Sequence, residues 1–309
     1  MNREKNFVSA VIYVHNAEQR VSDFVNTVMG VLQQHFEHSE IICVNDCSTD
    51  GSLAKIRAIR TDPALSSLSV INMSYYHGVE IAMNAGMDLA IGDFVFEFDD
   101  TVADFPPEMI MTVYRKALEG NDIVSASPDR EERLSSRLFY RTFQRFSNLP
   151  YQFTTERFRI LSRRVINRIA SMNRMTLYRK ALYANCGLKT ENLRYPAEAR
   201  KERKDREERR YRSRLATDSL ILFTQVGYRF SMGMTFLMMF MSVVMLIYTL
   251  VTYFMASPVA GWTTTLLFLA LAFLGLFGIL TIVVKYLQLL LDMVFRRKHY
   301  SFESIEKIN

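Results

Sequence analysis

The chain has 309 residues, of which 49% are hydrophobic and 23% charged, with a formal net charge of +6. That length holds one large domain or two small ones. The positive charge suits an anionic membrane surface better than nucleic acid, and no recognisable nucleic-acid-binding motif accompanies it.

The opening MNREKNFVSAVIYV runs from polar residues straight into a short apolar stretch, which is not the form of a signal peptide. Residues 7–14 read as a strand. Val21, Phe24, Val25, Val28 and Leu32 then recur at helical spacing. Residues 41–45 read as a second strand, 53–60 as a helix and 68–73 as a third strand. Residues 79–90 are helical and 94–98 form a fourth strand. Pro107 opens another helix, because proline suits a first turn. Residues 123–126 make a short fifth strand. Strands alternating with helices predict an α/β layered domain with a mostly parallel sheet. Cys43, Cys47 and Cys186 have no CxxC or zinc spacing and read as reduced packing residues.

In such a sheet, ligands bind beyond the carboxyl ends of the strands. Three polar tips fall there: His15-Asn16, Asn45-Asp46 and Asp99-Asp100. Acid pairs after an apolar strand suit a hard divalent cation, which takes oxygen ligands and can bridge phosphates.

The second half is unlike the first. A charge-mixed stretch, 197–214, precedes residues 230–284, which contain no charged side chain. That run holds two membrane spans of roughly 20 residues each. They are expected at 232–256 and at 263–284, the second extending to 291. Ser257-Pro258 and Gly261-Trp262 mark the turn. Lysines and arginines flank the pair on both outer sides and are missing between the spans, so both termini are expected in the cytoplasm. Residues 215–223 read as a partly apolar helix at the membrane interface. The expected layout is a domain at 1–190, a basic juxtamembrane segment at 191–229, two spans within 230–291 and a cytoplasmic tail at 292–309.

The stretches VSAVIYVHNAE, IICVNDCSTDGS and AMNAGMDLAIGDFVFEFDD resemble the nucleotide-sugar-binding half of family 2 glycosyltransferases, which have the GT-A fold, a Rossmann-like sheet flanked by helices. RFRILSRRVINRI and the C-terminal VVKYLQLLLDMVFRRKHYSFESI resemble the polyprenyl-phosphate sugar transferases of that family. The resemblance implies that Asp46, with Asn45 and Ser48 beside it, holds the nucleoside, as part of a donor site that also takes in His15 and Asn16. It implies that Asp99 is the first acid of a D-x-D motif for Mg²⁺ or Mn²⁺. Asp100 or Asp104 would supply the second carboxylate, because Thr101 stands in its place. Asp99 and Arg159 are the implied catalytic residues. Arg159 and Ser162 would lie near the donor and acceptor phosphates, and Arg210, Arg212 and Arg214 are candidates for the lipid phosphate.

The chain also departs from the family pattern. Its "PVYNEE" reads Tyr13-Val14-His15-Asn16-Ala17-Glu18 here. The turn glycine is Cys47. "SRNFGKE" reads SYYHGVE, and Arg157 stands where relatives have glycine or an acid.

The chemistry so implied is inverting sugar transfer from a nucleotide-sugar donor to a polyprenyl phosphate at the cytoplasmic face of a bacterial inner membrane. The lipid bilayer and a homo-oligomer are the further partners expected. Two alternatives stay open. One is transfer to a lipid-linked saccharide or surface polysaccharide. The other is a degenerate relative that binds or assembles at the membrane without turnover.

Overall fold

A computed structural model describes residues 3–60, 66–129, 156–171, 179–196 and 300–308, together with single positions between 233 and 290. The chain divides into two compact units, one formed by residues 1–144, 149–215 and 298–309, the other by 145–148 and 216–297.

The first unit is built on an eight-stranded sheet. Its strands are β1 (Val8–Val14), β2 (Ser39–Asn45), β3 (Ser66–Met73), β4 (Phe94–Phe98), β5 (Ile123–Pro128), β6 (Phe158–Ser162), β7 (Thr190–Tyr195) and β8 (Phe302–Ile308). Their spatial order is β7-β5-β6-β4-β1-β2-β3-β8. The helices are α1 (Val21–His35), α2 (Ser52–Arg57), α3 (Val79–Leu89), α4 (Glu108–Leu118), α5 (Arg163–Ser171) and α6 (Arg179–Asn185).

Every residue of β1 is buried, which explains why its sequence is nearly continuous in apolar residues instead of alternating. Its side chains divide between two cores. Val8, Ala10, Ile12 and Val14 pack with Phe24, Val25, Val28 and Leu32 of α1 and Ile110, Val113 and Tyr114 of α4. Val11 and Tyr13 pack on the other face with Ala82, Met83 and Ala85 of α3, Val165 and Tyr183. Alternate residues point to opposite faces of a strand, so one strand feeds both layers. At Gly86 a Cβ would stand 2.3 Å from Val11 Cγ1 and 2.8 Å from Val44 Cγ2. Only glycine lets α3 lie that close to β1 and β2.

The sheet is more mixed than expected. β4-β1-β2-β3 form a parallel block, and β5 pairs parallel with β7. β6 runs antiparallel to both β4 and β5, and β8 antiparallel to β3. Two boundaries also move. The domain end expected at 190 cuts into β7. The stretch expected as a tail contains β8, which covers the edge that β3 would otherwise leave open.

The expected spans at 232–256 and 263–291 fall largely outside the described residues. The positions that are described there are helical. Leu237, Phe240, Leu276, Leu280, Val283 and Leu287 among them are exposed. Among the described residues no helix is long and apolar enough to cross a membrane. The interfacial helix expected at 215–223 lies outside the described residues.

Candidate functional site

Because β1, β2 and β4 are parallel, their carboxyl ends and the three polar tips share one edge of the sheet, and the tips of β1 and β2 meet there. Asn45 Nδ2 donates to Asn72 Oδ1 at 3.0 Å, and Asn45 Oδ1 accepts from the Ser48 amide at 3.3 Å. Asn16 interlocks with the same turn. Its amide donates to Ser48 Oγ at 3.1 Å, and its Oδ1 accepts from the Thr49 amide at 2.9 Å. His15 Nδ1 donates to the Asp46 carbonyl at 2.7 Å, while Asn16 Nδ2 donates to His15 Nε2 at 3.2 Å. This pair of contacts selects the Nδ1–H tautomer. The His15 ring also meets Tyr76, centroid to centroid, at 4.7 Å.

The turn has the conformation that the missing glycine would have eased. Asn16 and Cys47 both have positive φ, 46° and 53°. Asparagine tolerates that region, whereas cysteine is strained there.

Asp46 stands at the expected edge but does not present its carboxylate to the crevice. It is 0% exposed. Oδ1 accepts from the His77 amide at 2.8 Å, and Oδ2 accepts from the Gly78 amide at 2.8 Å and Tyr13 Oη at 2.9 Å. Burial raises the pKa of this carboxyl above its ordinary value, against the lowering effect of those hydrogen bonds. The sequence reading assigns Asp46 to the nucleoside. The structure has it holding the 77–78 turn, whose Gly78 takes φ +82° at the start of α3.

The β4 tip carries a dense ion-pair network. Glu97, fully buried, accepts from Arg159 Nη1 at 2.8 Å, Arg179 Nη1 at 2.9 Å and Tyr183 Oη at 2.7 Å. Asp99 accepts from Arg159 Nη2 at 2.9 Å and Arg179 Nη2 at 2.6 Å. Arg159 Nε reaches Glu156 at 3.0 Å, and Arg179 Nε reaches Glu80 at 3.0 Å. Arg157 Nη1 reaches Asp100 at 2.8 Å, and its Nε and Nη2 fork onto the buried Asp104 at 2.9 and 2.6 Å. Tyr195 Oη donates to the same Asp104 at 3.0 Å. Burial works to raise Asp99, but Arg159, Arg179 and Lys180 outweigh it and hold the carboxyl well below the usual range.

This network decides how well the acids suit a metal. Both oxygens of Asp99 accept from guanidinium groups. Those of Asp100 accept from Arg157 and the Val102 amide. Both oxygens of Asp104 are taken by Arg157. In this arrangement the three acids do not fit a divalent cation. Among the described residues no cluster of three or more His, Cys, Asp or Glu is poised to hold one. Asp99, Asp100 and Asp104, the acids of the expected D-x-D site, are held here by arginine and backbone donors that a cation would have to displace.

Ser162 is displaced from the expected site for a topological reason. β6 is antiparallel to β4, with Glu97 opposite Arg159 but Phe94 opposite Ser162. Arg159 therefore reaches the tip while Ser162 lies toward the other end of β4, donating to Asp122 Oδ1 at 2.9 Å. Arg210, Arg212 and Arg214 lie outside the described residues. Glu80, Glu97, Glu156, Arg179 and Tyr183 are site residues that the sequence reading missed. A charged residue inside the buried strand FVFEF was the available signal for Glu97, since a buried charge needs a partner.

A family model for glycosyl transferase family 2 matches residues 9–183. The chain belongs to glycosyl transferase family 2. Among similar proteins, an uncharacterized glycosyltransferase of Synechocystis, sll0501, is 31% identical over 186 residues, which cover 58% of each chain. A prophage bactoprenol glucosyl transferase homolog of Escherichia coli is 30% identical, covering 61% of this chain and 62% of that protein. The matches thus span about three fifths of the length of these two curated relatives. A solved mannosyltransferase from Pyrobaculum calidifontis, in complex with GDP-Man and Mn²⁺, aligns with a TM-score of 0.48 at 16% identity, covering 71% of this chain and 63% of that one.

Proposed function

We propose that this family 2 chain is a membrane-bound inverting glycosyltransferase that moves a sugar from a nucleotide-sugar donor to a polyprenyl phosphate at the cytoplasmic face of a bacterial inner membrane. The observation that carries this reading is the gathering of Arg157, Arg159 and Arg179 at the β4 tip, on the sheet edge that also bears the Asn16 and Asn45 turns. Guanidinium groups already paired with carboxylates can exchange them for phosphate oxygens of the same fork geometry. The relatives that act on bactoprenol support the acceptor class.

In this mechanism a phosphate oxygen of the lipid attacks the anomeric carbon from the face opposite the diphosphate. The new C–O bond forms as the bond to the diphosphate breaks, and the nucleoside diphosphate leaves. The lipid phosphate is already anionic near neutral pH and needs little help from a base. The protein's work is to hold the two reactants in line and to stabilise charge on the leaving group. Arg159 and Arg179 are the residues assigned to that second role.

The uncharged run at 230–284 supports membrane attachment, and β8 supports a hairpin topology. A strand paired with β3 must lie on the same side of a bilayer as the domain, so an even number of crossings separates them.

The saturated acids favour a second reading, a relative that binds nucleotide without turnover. Purified membranes incubated with a panel of nucleotide sugars, with and without added polyprenyl phosphate, separate the readings. Sugar appearing in a mild-acid-labile lipid is the expected result. Transfer only to a preassembled saccharide redirects the acceptor. Binding without any transfer overturns the enzymatic reading in favour of the second.

A further inference from the structure

We infer that the C-terminal strand β8 is a positioning element of the donor crevice, and that His77 and Asn72 are the residues through which it acts. The inference rests on the donor-site reading above.

β8 does little as a hydrophobic cover. Most of its side chains are exposed or half-exposed, Phe302 and Ile305 included. It is held instead by its ladder to β3 and by polar side-chain links, and these lead toward the crevice. Asn72 Nδ2 donates to Ser304 Oγ at 2.9 Å and to Glu306 Oε1 at 2.8 Å. The Oδ1 of the same side chain accepts from Asn45. Asn45 in turn caps the Ser48 amide in the turn that ends β2. One asparagine therefore joins the last strand of the chain to the tip of the second.

A parallel link runs through His77. Its Nε2 accepts from the Ser301 amide at 3.2 Å, and its Nδ1 donates to the Tyr75 carbonyl at 2.5 Å. Its own amide donates to Asp46. The ring stacks on Tyr75 at 4.0 Å. Ser74 adds a backbone bond to the Ser301 carbonyl at 3.1 Å and a hydroxyl contact with Ser301 at 3.1 Å. Residues 74–78 are thus gripped between Asp46 on one side and the start of the C-terminal segment on the other. Tyr300 Oη fastens that segment to Asp88 on α3 at 2.7 Å.

Edge cover alone would need only the ladder. The side-chain links converge on the two tip residues Asn45 and Asp46, and they fix the loop that carries Tyr75 and Tyr76 beside His15. Loss of β8 should therefore loosen the crevice while sparing the distant core around α4. The distal anchor, Arg57 forking onto Glu306 at 2.7 and 2.8 Å, is exposed. Such pairs contribute little to global stability, so this anchor can be weakened without unfolding the domain.

The test uses the full-length protein in lipid nanodiscs with UDP-glucose and GDP-mannose as probes. Ser301→Pro removes the amide that His77 accepts from. Glu306→Gln weakens the distal anchor and keeps the strand's shape. Calorimetry reads probe affinity, and amide hydrogen exchange reads residues 74–78 against α4 in the same samples. The expected result is a loss of affinity of roughly two- to tenfold, the range of one lost hydrogen bond, with faster exchange at 74–78 and unchanged exchange in α4. If Ser301→Pro also speeds exchange in α4, it has unfolded the domain and Glu306→Gln decides. Unaltered affinity and unaltered exchange at 74–78 in a folded variant overturn the inference and leave the donor reading standing. An unaltered protein that binds neither these probes nor other nucleotide sugars overturns the donor reading and this inference with it.

Discussion

Glu97 of β4 and Arg159 of β6 face each other across an antiparallel pair, and Arg159 Nη1 donates to Glu97 Oε2 at 2.8 Å. Both side chains are essentially buried. Arg179 reaches the other oxygen of Glu97, so one carboxylate is shared by two guanidinium groups. Removing a buried partner strands the charge it balanced, at a cost of about 3–5 kcal/mol. Glu97→Ala is therefore expected to lower the denaturation midpoint sharply, by that order. Glu97→Gln should recover part of the loss, because an amide still accepts hydrogen bonds. Urea denaturation followed by circular dichroism checks both. Equal stability of Glu97→Ala and the unaltered protein would falsify the network's structural role.

Asp99 gives the network a pH dependence. Its carboxyl is held below its ordinary value of 3.8 in the folded protein. Its stabilising contribution is therefore fully present above that value and is lost as pH falls through the folded value. Asp99→Asn should cost on the order of 2 kcal/mol at neutral pH, the scale set by a carboxyl whose folded value is lowered. The gap between variant and parent should narrow steadily below pH 3.8. Denaturation midpoints measured across that range report it. A gap that stays constant into acid would assign the loss to packing rather than charge.

Divalent metal must compete with arginine at this tip. Any cation recruited by Asp100 and Asp104 has to displace the Arg157 guanidinium. Mn²⁺ titration followed by electron paramagnetic resonance should show weak binding in the unaltered protein. Arg157→Gln should tighten it by about tenfold, since it frees oxygens that Mn²⁺ can use. Tight Mn²⁺ binding in the unaltered protein, unaffected by Arg157→Gln, would place the metal elsewhere.

Cys47 sits in the left-handed region, with φ 53°. A side chain there costs about 1 kcal/mol or more. Cys47→Gly should stabilise the protein by less than that strain, because the extra freedom that glycine gives the unfolded chain offsets about 0.4–1 kcal/mol of it. A thermal-denaturation midpoint that does not rise would mean that the half-buried thiol packs well enough to offset the strain.

The parallel block and its tips were legible in the sequence for a local reason. β1, β2 and β4 are buried strands that end on polar turns, and α1 repeats its apolar residues with helical spacing, so each element is written in its own few residues. The same locality explains why His15, Asn16, Asn45 and Asp46 could be assigned to one edge before any coordinates. What each tip residue does was not local. Asp46 serves the 77–78 turn because residues 31 and 32 positions away donate to it. Ser162 leaves the site because β6 enters the sheet antiparallel, a choice no residue within FRILS announces. Glu97, Asp99, Arg159 and Arg179 come from β4, β6 and α6, separated by up to 82 positions. Charge balance in a buried cluster depends on which distant side chains arrive there, so only the tertiary structure could show that the acids expected to hold a metal are already held by arginine. The return of residues 302–308 to β3 was equally hidden. A short polar strand gains its place from the open edge it meets and not from any pattern of its own.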